Sequence, residues 1–103
     1  MAHSGPFTFT SDIWQWDARR SDGWYFTSLP EELADDIDAA FGHRAAGFGS
    51  VKVEVTIGRT TWQTSIFPDS KRGTYVLPLK KAVRTMERLS VGQETTVALR
   101  VIA

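Results

Sequence analysis

The side chains in this 103-residue chain that could do chemistry are few and scattered. Cysteine is absent, which removes disulfides, thiolate nucleophiles and cysteine-ligated zinc together. Histidine is the usual proton carrier near neutral pH, and there are two. His3 lies in the N-terminal segment, and His43 follows a predicted helix end, where a cation favours the negative pole of the dipole. Neither has a second ligand at metal spacing. The carboxylates of Glu31, Glu32, Asp35, Asp36 and Asp38 crowd one stretch. A helix spreads such groups round its polar arc and no calcium-loop spacing is present, so they read as a solvated acidic face. Ser65 and Ser70 have no recognisable base. Gly47-Phe48-Gly49-Ser50 leads into a strand, so the helix N-terminus of a phosphate-binding loop is missing. No catalytic residue, metal ligand or cofactor is assigned. An enzyme would require a cavity that gathers His43, Arg44 and a carboxylate distant in sequence.

Two groups suit binding better than catalysis. The indoles of Trp14, Trp16, Trp24 and Trp62 could stack a sugar, a base or a peptide, although aromatics also dominate the cores of small domains. Trp62 is expected in the core opposite Val55, and Trp24 is expected to share a buried face with Phe26. Trp14 and Trp16 are the best candidates for an exposed patch. Together with Arg19 and Arg20, in the connection that follows, they form the candidate ligand-binding set. Lys80, Lys81, Arg84 and Arg88 are the alternative set, for nucleic acid. Against it, twelve basic and twelve acidic residues give zero net charge, and four cations are a small electrostatic footprint. The zero conceals a division: residues 1–50 carry three basic and eight acidic groups, and residues 51–103 nine and four. The competing reading is that a basic helix lies near an acidic one and the two faces satisfy each other.

The elements that must position these groups follow from periodicity. Val51, Val53, Val55 and Ile57 alternate with Lys52, Glu54 and Thr56, as in a strand with one buried face. Gly58-Arg59 then predicts a two-residue type II′ turn, with glycine supplying positive φ at the first central position. The register follows: Ile57 opposite Thr60, Val55 opposite Trp62, Val53 opposite Thr64 and Val51 opposite Ile66. Upstream, Phe7-Thr8-Phe9-Thr10 begins a strand whose buried phase is opposite to that of Trp14 and Trp16. Either a bulge near Ser11-Asp12 brings all four aromatics to one side, or the tryptophans cover the far face or the rim. Trp24–Leu29 is a second strand. Pro30 then opens a helix whose apolar positions are Leu33, Ala34, Ile37, Ala40 and Phe41, with Gly42 as its stop. Thr74–Leu77 is a short strand, followed after Pro78 by a helix expected to bury Leu79, Ala82, Val83 and Met86. Thr95–Ile102 is the last strand, with Val97, Leu99 and Val101 inward.

Strand, Leu-Pro and short helix thus occur twice, at Tyr25–Pro30 and Thr74–Pro78, which suggests two similar halves. About six strands with short connections favour an antiparallel barrel over a doubly wound sheet. The fold class read here is all-β with two short helices, in a single domain spanning 1–103 with residues 1–5 expected to be disordered.

The motifs Trp14-Gln15-Trp16-Asp17, Trp24–Pro30, Val51–Ile57, Trp62–Pro68, Gly73–Pro78, Lys80–Arg84 and Leu89-Ser90-Val91-Gly92 occur in an order that resembles the domain-of-unknown-function 1905 family. The resemblance runs from about Phe7 to Ile102. It implies a small double-split β-barrel, grouped beside AbrB-like barrels that bind DNA as dimers, in a family without an established activity. Gln93 stands where that family typically has aspartate, and Arg88 where it usually has glycine. The expectation is a non-catalytic binding module for a small ligand or protein, with nucleic acid as the alternative. No apolar run spans a membrane and no signal core is present. A cytoplasmic protein, monomeric before dimeric, is therefore expected.

Overall fold

The structure is a computed structural model, described here for residues 5–16, 24–42 and 49–102. Six strands and two helices follow in the order β1 (Phe7–Trp16), β2 (Trp24–Ser28), α1 (Glu31–Phe41), β3 (Val51–Ile57), β4 (Thr60–Asp69), β5 (Thr74–Pro78), α2 (Lys81–Glu87) and β6 (Glu94–Val101). The strands close into an antiparallel barrel, β1-β2-β5-β4-β3-β6. The expected all-β barrel with two short helices is therefore what the chain forms.

Strict alternation on β3 makes the β3–β4 hairpin the surest element. Val55 pairs with Trp62, Val53 with Thr64 and Val51 with Ile66, as the turn requires. Gly58 takes φ 58°, the positive value a type II′ turn needs at that place. Val51, Val53, Val55 and Ile66 are fully buried, and Trp62 is 9% exposed. Each such aliphatic side chain contributes about 1.5–3 kcal/mol by leaving water.

β1 and β4 are the long strands, and each belongs to two sheets. β1 pairs with β6 through Asp12 and with β2 from Ile13 onward. β4 pairs with β3 through Ile66 and with β5 from Phe67 to Asp69. β1 needs no bulge: Phe9 and Ile13 are buried in one unbroken phase, which leaves Trp14 and Trp16 on the outer face. Ile13, and not a tryptophan, supplies the core at this end of the strand.

The second strand inverts the expected faces. Thr27 is fully buried, with Oγ1 donating to the Asp12 carbonyl at 2.8 Å. Tyr25 and Leu29 share its inward phase. Trp24 and Phe26 therefore point outward, and Trp24 is 69% exposed. Aromatic content marked the strand but did not say which side faces in.

The halves are related by a twofold, in a frame different from the one the Leu-Pro echo suggests. The Leu29 amide donates to the Tyr75 carbonyl at 3.0 Å, and the Leu79 amide to the Tyr25 carbonyl at 2.8 Å. Tyr25 thus corresponds to Tyr75 and Leu29 to Leu79, two residues away from a match of Leu29-Pro30 with Leu77-Pro78. Pro30 and Lys80 are the corresponding N-caps, so both helices start later than a proline-led start predicts. α1 buries Ala34, Ile37 and Phe41. α2 buries only Val83. Ala82 is exposed and Met86 is 72% exposed, contrary to expectation: the seven-residue helix turns only Val83 inward, and Leu79 is buried ahead of its first turn. α1 packs on β5 and α2 on β4. Among the described residues no ion pair joins the helices, and the one ion pair is Arg72–Asp69.

Candidate ligand-binding groove

The reversed face of β2 and the outward half of β1 together create an aromatic surface. Trp14 pairs across the strands with Phe26, and Trp16 with Trp24, all four on the outside. Trp14 stacks on Phe26 with centroids 4.9 Å apart, and Trp24 tilts against Phe26 at 6.4 Å. These rings, with Val76 and Asp69, line a groove of about 440 Å³. Trp16 is 61% and Trp24 69% exposed. An exposed cluster of large rings is uncommon on a soluble domain and marks an interaction site more often than a scattered aromatic does.

Trp14 is the fixed member. Its indole N–H donates to Ser28 Oγ at 2.9 Å, and the Arg72 guanidinium carbon lies 3.6 Å from its ring centroid. Arg72 is placed there by the β4–β5 turn. Asp69 Oδ1 accepts from the amides of Lys71 (3.0 Å) and Arg72 (3.4 Å), and Asp69 Oδ2 lies 3.5 Å from Arg72 Nε. An aspartate that ends a strand and turns the chain is thus also among the residues lining the groove.

The twofold provides an internal control. The positions corresponding to the Trp14–Phe26 and Trp16–Trp24 pairs are the Phe67–Val76 and Asp69–Thr74 pairs. The same barrel geometry is thus met in the second half by one aromatic, a valine, an aspartate and a threonine. Packing alone does not demand three tryptophans and a phenylalanine in the first half.

Of the sequence-selected ligand set, the structure brings Trp14 and Trp16 into one groove, while Arg19 and Arg20 lie outside the described residues, as do His3, His43 and Arg44. Trp24 and Phe26 were assigned to the core and join the groove instead. No local signal in the sequence places them: their phase is set by Thr27, whose hydroxyl donates to the Asp12 carbonyl fifteen residues away. The basic set is dispersed in role. Arg84 stacks on the Tyr25 ring at 3.8 Å and its Nε donates to the Leu79 carbonyl at 3.0 Å. Lys80, Lys81 and Arg88 are exposed. Arg88 takes φ 54° and ψ 47° as the helix terminator, and the Leu89 amide returns to the Arg84 carbonyl at 2.9 Å. This Schellman-type ending favours glycine at the left-handed position.

A second hollow, of about 250 Å³, lies between α1 and the β4–β5 turn, lined by Asp35, Asp38, Asp69 and Tyr75 among others. The Tyr75 hydroxyl donates to Asp38 Oδ1 at 3.3 Å. Burial, then the Asp38 charge and this hydrogen bond, push the phenol above its usual pKa of 10.0. It stays protonated at neutral pH and is no base. Among the described residues no group of three or more histidine, aspartate or glutamate side chains is placed to hold a metal ion. No described helix is long and apolar enough to cross a membrane.

A family model described as "Domain of unknown function (DUF1905)" matches residues 9–99, in agreement with the resemblance carried by the motifs. No curated protein matches the sequence.

Proposed function

The chain belongs to the DUF1905 family, whose description names no activity, and on that footing we propose that it is a non-catalytic binding module whose ligand lies in the aromatic groove. One observation carries this reading: Trp16 and Trp24 stand in the groove more than half exposed, whereas the twofold-related pair is Asp69–Thr74. Exposed rings cost solubility and add little to the fold, so their use is as contact surface. Trp14 and Phe26 form the fixed floor. Trp16 and Trp24 are the walls nearest solvent.

Uptake of Nile red, a neutral apolar dye, tests the groove without presuming its natural ligand. The wild type binds and brightens the dye, and Trp16→Ala with Trp24→Ala removes the signal while the far-ultraviolet circular dichroism is unchanged. Dye uptake that survives both substitutions overturns the reading.

A further inference from the structure

Resting on the groove as the binding surface, we propose that its guest is a methylated ammonium group, an organic cation without N–H donors. The lining decides the chemistry. It offers aromatic faces, one valine and one carboxylate, Asp69. The acceptor capacity there is already engaged, since Asp69 accepts from two amides and faces Arg72. The Trp14 N–H is given to Ser28, and the indole N–H groups of Trp16 and Trp24 are donors, which a donor on the guest cannot use. A sugar, a primary amine or a nucleobase would bring donors into an apolar groove and leave them poorly met, at a cost in affinity. A methylated ammonium brings none. Its charge is spread over methyl groups, which ring faces attract through their quadrupoles.

Two further observations bear on the guest's charge. The charged residue of the lining is acidic, Asp69, and it already faces Arg72 at 3.5 Å. The groove's own rings already hold a cation, since the Arg72 guanidinium sits on Trp14 at 3.6 Å. Arg72 is thus an internal occupant of one ring, while Trp16 and Trp24 present theirs to solvent. It is also a competitor, because its charge opposes a second cation and its side chain covers Trp14.

The test compares choline with its neutral carbon isostere, 3,3-dimethylbutan-1-ol, each titrated into the full chain and followed by the ¹⁵N–¹H signals of the indoles. Choline binds about tenfold more tightly than the isostere, as expected when a cation meets aromatic faces. Arg72→Ala strengthens choline several-fold and favours it over the isostere, an effect that a merely structural role for Arg72 would not give. Asp69→Asn weakens choline and leaves the isostere unchanged. The amide of trimethyl-lysine serves as a second probe: tighter binding than choline assigns the guest to a protein side chain, and weaker binding assigns it to a free small cation. Equal affinity for choline and the isostere overturns the proposal and leaves the groove as a binding surface. Failure of both ligands, with no uptake of Nile red, overturns the groove itself.

Discussion

Trp16, Trp24 and Trp62 are chemically the same residue, but their removal should have opposite consequences. Trp62 is 9% exposed and faces Val55 inside the barrel, so Trp62→Ala should cost about 3–5 kcal/mol in urea unfolding. Trp16→Ala and Trp24→Ala remove mostly solvated rings and should each change stability by less than about 1 kcal/mol, while abolishing uptake into the groove. Tyr75 makes a prediction of a different kind. Its phenol is raised above 10.0 in the fold, so its contribution is fully present below pH 10 and is lost as pH rises through the higher folded-state value. Tyr75→Phe should lose about 1 kcal/mol at pH 8, from the hydrogen bond to Asp38. That deficit should shrink above pH 10 in parallel unfolding curves. A deficit that is constant or grows with pH contradicts the assignment.

At the scale of elements, what could be read from the sequence was whatever period and turn chemistry determine together. The β3–β4 register follows from alternation plus Gly58, and it holds pair by pair. The face of β2 did not follow, because a run of aromatics satisfies strand propensity on either side. It is decided by Thr27, whose hydroxyl has an inward acceptor in Asp12, a long-range contact that no local pattern contains. Half of the groove was hidden for that reason. The end of α2 was legible only as a departure: Arg88 occupies a left-handed position that costs an L-residue roughly 1–2 kcal/mol. Arg88→Gly should therefore stabilise the protein by about 0.5–1 kcal/mol, after the entropy of glycine is set against that strain. Gln93, the other departure, keeps its turn closed, since its side-chain oxygen accepts from the Ser90 amide at 3.0 Å. Glu87 ties α2 to the central hairpin, accepting from Thr60 Oγ1 at 2.6 Å. A Cβ on Gly58 would collide with that carboxylate. Gly58→Ala should cost more in the wild type than in a Glu87→Ala background, where only the backbone strain remains; a double-mutant cycle reads the difference.

Across the whole molecule, the twofold organises both the fold and the site. β3 pairs with β6, β2 with β5, β3 with β4 and β1 with β6. Each of these contacts joins one half to the other, so neither half holds a complete sheet. The echo of Leu-Pro pointed to two halves correctly, but the true correspondence lies in Tyr25 with Tyr75, visible only in the reciprocal hydrogen bonds. What the halves do not share is the aromatic lining, three tryptophans and a phenylalanine in the first against Phe67, Val76, Asp69 and Thr74 in the second, and that asymmetry is the reason for proposing function there. The proposed site therefore draws on the rings and not on the basic set, whose Arg84 is engaged with Tyr25 and Leu79.

The measurement that bears most directly on this account is the response of the four indole signals to choline. The account predicts a saturable shift at Trp16 and Trp24, a smaller one at Trp14, and none at Trp62 inside the barrel. A shift that is uniform over all four, or that never saturates, would contradict it.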